Sequence, residues 1–454
     1  MVTLLIGNSS IKVDTQDRLA LSIIKQACSY EVVGAKYTVP FQKKVWDGRK
    51  SIFDGRTKMF PSGLLYQVAA ALQYNKIPFT YQDKRYTPEI KPELTHKIEL
   101  RDYQLKAVED AVKVGRGTIH APTGSGKTLI AIALACKIGV NFLILTNRQD
   151  MLYQLKEEVE KWTGRPCGII RGKERDLRQI TVATIQTLSA QVDSLDEIER
   201  YFEGLIVDEY HHSASNSYLK ILKRFTRAFY RYGFTATPFR NDDASKILAA
   251  ISGRVIHTVS KEELERLGFL VPAHIKMLNI EGSVTGSGYE EIYSKGIVNN
   301  AERNSKIIEE ANKLLLEGQR VLILVSRVAH GEYLSKVTGW QFIQGNSSKQ
   351  IRTDARDSMR IGDLNVLIAT GIFDEGIDIP SMSAVIFGGA GKSKVSVVQR
   401  VGRSLRPFPG KKHSVIVDFM DKQSPMLEAQ SYERLAVYNR NGWKTDLEMS
   451  NFFC

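Results

Sequence analysis

Ala121 to Thr128 reads APTGSGKT, a set of residue types whose spacing suits the handling of phosphate. Thr123, Gly124, Ser125 and Gly126 let successive backbone N–H groups close on phosphate oxygens. Lys127 can reach the β and γ oxygens, and the Thr128 hydroxyl can ligate Mg²⁺. Further along, the apolar run Gly204 to Val207 ends in Asp208 and Glu209. Two carboxylates at the carboxyl end of a strand stand where α/β sheets bind ligands. Asp208 is assigned to the metal, together with Thr128, and Glu209 to the attacking water, because phosphoryl transfer needs positioning and charge neutralisation more than covalent chemistry.

A third set lies about 270 residues after the phosphate loop, in Gln399 to Arg406, QRVGRSLR. Arg400, Arg403 and Arg406 recur at intervals of three and share one helix face. Such a stripe is ordinarily solvated. Following a second series of strand-like runs, however, it could deliver guanidinium groups to a γ-phosphate, a contribution of roughly 10³ to 10⁵ in rate.

These groups need elements to hold them. Thr118 to His120 reads as the end of a buried strand and Leu129 to Ile138 continues with helical apolar spacing, so the phosphate loop has its strand–loop–helix setting. Strands are also expected at Phe142–Leu145, Ile180–Ala183, Gly204–Val207 and Val321–Val325, and a helix at Pro61–Gln73. Linkers are expected at Gln82–Thr95, rich in Pro and charge, and at Glu281–Ser287. The chain of 454 residues is long enough for about three domains of roughly 100 to 200 residues. The boundaries that follow are 1–92, 93–275 and 276–454.

Taken in order, these segments resemble superfamily 2 helicases of the DExH type, over about residues 95 to 410. The resemblance implies an α/β protein of two tandem RecA-like P-loop domains with parallel sheets, preceded by a small α+β domain that binds DNA. ATP and Mg²⁺ would be the cofactors, with the nucleotide between the motor domains. By the same resemblance, Arg101 and Gln104 recognise adenine, and Gly376 and Asp378, in IATGIFDEGIDIP, approach the ribose. Thr146, Asn147, Arg148 and Thr184 in the first motor touch nucleic-acid backbone, as do Ser326, Arg327, Thr370 and Gly371 in the second. Thr235 and Thr237, in GFTATP, couple the ATP site to the tracked strand, while His211 and Gln399 pair when the motor closes. Ser431, Arg434 and Tyr438 fall on an expected terminal helix in a pattern some relatives share.

Within the superfamily, the DEYH box, the FTATP segment and a basic domain ahead of the motor look most like phage branch-migration helicases of the UvsW type, RecG-like in function. The implied activity is ATP-dependent unwinding or branch migration of forked and Holliday-type DNA by a monomer that tracks a single strand. Excision-repair helicases of the XPB type and restriction-enzyme translocases share most of the motor motifs. Duplex translocation without strand separation, an ATP-gated clamp and an RNA substrate therefore stay open.

Composition agrees with an anionic polymer as partner: the net charge is +13 and the isoelectric point about 9.3. Lys36 to Phe60 interleaves Lys43, Lys44, Arg49, Lys50, Arg56 and Lys58 with Tyr37, Phe41, Trp46, Phe53 and Phe60. That pattern suits nucleic acid, and equally a hairpin whose rings form a core beneath solvated lysines. Cys28, Cys136, Cys167 and Cys454 lack metal-site or disulfide spacing. No apolar run reaches a membrane span and the first residues lack a signal pattern, so the expected location is cytoplasmic, the host cytoplasm if phage-encoded.

Overall fold

The computed structural model describes residues 1–32, 35, 38–147, 149–191, 195–208, 216–236, 243–370, 381–389, 397, 401–402 and 404–447. The chain divides into two compact units, Met1–Pro122 with Gly126–Ser260, and Lys261–Cys454 with Thr123–Ser125.

The first unit begins with strands β1 (Val2–Ile6), β2 (Ser10–Asp14), β3 (Ser29–Glu31), β4 (Arg49–Ser51), β5 (Met59–Pro61) and β6 (Phe79–Asp83). Four of them form a sheet in the order β5-β2-β1-β6, and β3 pairs with β4 in a separate ribbon. Alternation decides which face is covered: Val2, Leu4 and Ile6 are buried on β1, as are Ile11 and Val13 on β2. Helices Arg18–Ala27 and Leu65–Tyr74 pack on this part. The first starts where Asp17 accepts the N–H groups of Leu19 and Ala20 at 2.9 and 3.1 Å, an N-cap that satisfies two end donors. Phe53 and Phe60 are core residues, whereas Phe41 and Val45 are exposed and Lys43, Lys44, Arg49 and Lys50 face solvent. The ring-and-lysine segment is thus part core and part surface.

The same unit continues with β7 (Arg116–His120), β8 (Phe142–Thr146), β9 (Gly168–Arg171), β10 (Glu174–Asp176), β11 (Ile180–Thr184), β12 (Gly204–Val207), β13 (Tyr230–Thr235) and β14 (Val255–Thr258). They form one sheet, β10-β9-β11-β8-β12-β13-β7-β14, parallel throughout except at the β9–β10 hairpin. β8, β11 and β12 are buried along their whole length, as strands covered on both faces must be.

The leading sheet and this parallel sheet share a core that joins Leu4, Phe60 and Leu64 to Leu143, Phe225, Ile247 and Ile251. A Cβ on Gly63 would stand 2.1 Å from the Ala249 carbonyl oxygen, so only glycine allows this approach to helix Asp243–Ser252. Arg116, at the start of β7, donates to Ser62 Oγ at 2.9 Å. Glu203 receives Lys91 Nζ at 2.7 Å and Tyr86 Oη at 3.1 Å.

The second unit holds β15 (Ala273–Ile280), β16 (Val321–Leu324), β17 (Phe342–Ile343), β18 (Val366–Ala369), β19 (Ala384–Ile386), β20 (Ser414–Asp421) and β21 (Lys444–Leu447). Their order is β17-β18-β16-β19-β20-β15-β21 and every pair is parallel. Two parallel, helix-flanked sheets in tandem are the RecA-like pair expected from the sequence. No helix among the described residues is long and apolar enough to cross a membrane.

Candidate functional site

The phosphate loop leaves the carboxyl end of β7 and enters helix Lys127–Ile138. Gly124 and Gly126 have φ of 88° and 80°, in the left-handed region where side chains are strained. A Cβ on Gly126 would also lie 2.4 Å from Gln104 Nε2. The Gln104 amide is therefore set against the loop. Its Oε1 accepts the Arg101 N–H at 3.0 Å and so also caps helix Asp102–Val114. Arg101 donates to Tyr103 Oη at 3.3 Å.

Lys127 Nζ points across the loop to the Ala121 carbonyl at 3.4 Å. The Ala121 N–H donates to the Thr235 carbonyl at 2.9 Å, and Thr235 pairs with His120 in register. Loop entry and the end of β13 are thus joined by the main chain. Burial, with the nearby Lys127 charge, lowers the His120 pKa, while a hydrogen bond involving Ala236 opposes the shift. Thr118 Oγ1 lies 2.8 Å from Ser252 Oγ, anchoring the strand behind the loop.

Asp208 is half-buried just beyond β12, where its N–H donates to the Leu145 carbonyl at 2.9 Å. Val207, Gly233 and Thr118 form one row across β12, β13 and β7, so Asp208 leaves the same sheet edge as the phosphate loop. The residues fit a nucleoside triphosphate with a divalent cation. Two left-handed glycines open the backbone, a helix N-terminus faces the loop, and the Thr123 hydroxyl is buried without a protein partner. Among the described residues no three acidic, His or Cys side chains gather into a metal cage.

At the neighbouring strand ends, Thr146 and Thr184 lie opposite one another in register and are both buried. The Thr184 hydroxyl accepts the Thr187 N–H at 3.2 Å, capping helix Ile185–Ala190. Gln186 Nε2 donates to the Asn147 carbonyl at 2.9 Å, tying the two loops, and Asn147 Oδ1 is buried with no protein partner.

In the second unit, Ser326 and Thr370 follow the adjacent strands β16 and β18. A Cβ on Gly389 would come within 2.3 Å of the Ser326 nitrogen, so the chain after β19 passes directly against Ser326. Arg327 is bound by Glu290 at 2.7 and 2.6 Å and lies 5.5 Å from the Tyr293 ring centre. Lys411 Nζ donates to the Arg406 carbonyl at 2.9 Å and the Met382 carbonyl at 2.6 Å. Burial lowers the Arg406 pKa, and burial reinforced by Arg406 brings Lys411 down to about 7. Arg148, Glu209, His211, Thr237, Gly371, Gly376, Asp378, Gln399 and Arg403 lie outside the described residues.

Ser431, Arg434 and Tyr438 meet two acids that sequence reasoning passed over. Arg434 Nε and Tyr438 Oη reach Asp418 Oδ2 at 2.8 and 2.6 Å, and Ser431 Oγ accepts the Asp421 N–H at 3.1 Å. Arg303 Nε binds Asp421 at 2.8 Å, both side chains fully buried, and its Nη1 donates to the Gly388 carbonyl. Burial opposes the Arg434 charge, yet Asp418 and Asp421 raise its pKa. Two aspartates in the apolar strand SVIVDFMD were the available signal.

The Type III restriction enzyme res subunit family matches residues 97–240, and the helicase conserved C-terminal domain matches 303–407. Each match falls on one of the two parallel sheets. The chain belongs to the superfamily 2 helicases. It is an ATP-dependent helicase-type hydrolase. It is 28% identical over 374 residues to DNA 3′-5′ translocase XPB2 of Sulfurisphaera tokodaii, covering 73% of this chain and 83% of that one. It is also 28% identical over 335 residues to the probable helicase D10 of Escherichia phage T5, covering 72% of each. The crystal structure of T4 UvsW aligns over 98% of this chain and 99% of that chain at 18% identity, with a TM-score of 0.49.

Proposed function

We propose that this helicase tracks one DNA strand in the 3′-to-5′ direction and unwinds or branch-migrates forked and Holliday-type junctions. The main-chain bond from Ala121 to Thr235 supports this reading best, because it makes the phosphate loop and the coupling segment one mechanical element. The 3′-to-5′ direction is carried over from the name of the archaeal relative.

In this reading Lys127 neutralises β- and γ-phosphate charge, Thr128 and Asp208 hold Mg²⁺, and Glu209 orients the attacking water. Arg101 and Gln104 meet the base, Gly376 and Asp378 the ribose. Bound Mg²⁺ supplies charge neutralisation at the phosphates. Arg403 and Arg406 stabilise charge on the transferred phosphoryl group, with Gln399 and His211 pairing as the motor closes. Thr146, Asn147, Arg148 and Thr184 grip the strand in turn with Ser326, Arg327, Thr370 and Gly371, and Thr235 with Thr237 couples the grip to hydrolysis.

The test is ATPase rate with no nucleic acid, single-stranded DNA, duplex, fork, Holliday junction and matched RNA at fixed salt, with strand separation followed on the same substrates. Stimulation by branched DNA with separation is expected. Absence of any junction stimulation sinks the proposal. The restriction-subunit family match favours a second reading, a duplex translocase, which predicts equal stimulation by plain duplex and triplex displacement without unwinding.

A further inference from the structure

We infer that the β9–β10 hairpin carries a phosphate-binding station for the tracked strand, built on Arg171 and Lys173, beyond the contacts already assigned. The inference rests on the reading that the carboxyl edge of the first sheet carries nucleic acid. Along that edge, Thr146 lies opposite Thr184, and the β11–β9 register runs Thr181 to Gly168, Val182 to Ile169 and Ala183 to Ile170. The next step sets Arg171 beside Thr184. Thr146, Thr184 and Arg171 thus form one row at strand ends, each about 4.8 Å from the next.

Arg171 is held ready rather than spent. Its guanidinium lies over the Tyr153 ring, 5.2 Å from the centre, and donates to Tyr153 Oη and, at 3.3 Å, to Gln149 Oε1. Those partners are neutral, so they orient the charge without cancelling it, and a planar guanidinium matches phosphate. Tyr153 and Gln149 belong to helix Gln149–Thr163, which follows Asn147 in the chain and so sets the hairpin's arginine and the strand-gripping loop on one support.

The tip is fixed as well. Gly172, at φ 54°, makes the turn; Gln191 Nε2 donates to its carbonyl, and Arg175 donates to Gln191 Oε1 at 3.2 Å. Lys173 projects from this turn and is exposed, as are Arg171 and Arg175. Glu174 stands cross-strand from Arg171, and Asp176 is paired with Arg178 at 2.8 Å, so the tip keeps an excess of positive charge. Charges are common on edge strands, where they block pairing with other chains. Protection of that kind needs no aromatic platform under one arginine and no amide fastening the turn.

The test uses the full-length protein and a labelled single-stranded oligothymidylate, with Kd followed against KCl concentration. Arg171→Gln combined with Lys173→Gln is expected to flatten the salt slope by about 1.4, roughly 0.7 for each lost contact on single strands. Arg178→Gln, which removes one charge from the same hairpin off the row, is expected to leave the slope as it was; a loss there of about 0.7, the same per charge as in the double variant, reduces the effect to bulk charge and overturns the inference. Asn147→Ala separates the two readings. If it weakens binding while the Arg171 and Lys173 pair leaves the slope unchanged, the inference is wrong and the edge reading stands. If the pair alone matters, the station stands and the Asn147 assignment falls; if neither matters, both fail. Circular dichroism melts confirm that each variant is folded.

Discussion

Lys127 makes a long hydrogen bond to the Ala121 carbonyl and is only half-buried, so shortening its side chain leaves no cavity in the core. Lys127→Ala should therefore lower ATP turnover by at least about 100-fold, the scale of losing one charge-stabilising group. Its melting temperature should stay near that of the parent, as checked by calorimetry beside phosphate release. His330 behaves differently. It is fully buried, its ring lies 2.7 Å from Asn304 Oδ1, and burial followed by the Arg303 charge brings its pKa from 6.5 down to about 3. Between those values the unfolded chain binds a proton that the folded chain refuses. Stability is then complete above pH 6.5 and falls as pH drops towards 3, by about 1.4 kcal/mol per pH unit. Urea midpoints at pH 7.5 and 5, read from tryptophan fluorescence, should show this loss, and His330→Gln should remove most of it.

Among the elements, Gly63 is the narrowest fit. Any side chain there meets the Ala249 and Ala250 carbonyls at 2.1 and 2.7 Å, and backbone cannot swing aside as a flexible side chain would. Gly63→Val should cost about 1–3 kcal/mol in the first unit, measured by urea unfolding; a neutral result means that helix Asp243–Ser252 shifts freely. The strands and the phosphate-loop helix were legible because parallel strands buried on both faces leave unbroken apolar runs. Gly204–Val207 matches its strand residue for residue, and Phe142–Leu145 and Ile180–Ala183 fall one residue short of theirs. The sequence offers Gln104 as a candidate base contact but does not show its cap on helix Asp102–Val114, because an amide three residues into a helix suits either task. Arg171 was hidden. Its place comes from a register between strands that are neighbours in space, and no local pattern records that. Asp418 and Asp421 were visible as acids in an apolar strand, but their meaning depends on Arg303, over 100 residues earlier.

For the whole molecule, the leading residues complete the core of the first unit, which places Leu4, Phe60 and Leu64 against Ile247 and Ile251. Deleting residues 1–92 should bare this apolar surface, giving a motor that binds a hydrophobic dye and precipitates on mild warming. A soluble, fully active remainder would show the shared core to be dispensable. The first family match begins at residue 97, so that family model stops short of the part on which this motor rests.

Gly63 and the alanines it faces have a further consequence, for ancestry and for engineering. A leading segment cannot be exchanged between relatives like a cartridge, since its glycine and the small residues of helix Asp243–Ser252 are two halves of one fitted joint, about 190 residues apart in the gene product. Chimeras that swap both halves together should fold where those swapping one alone do not.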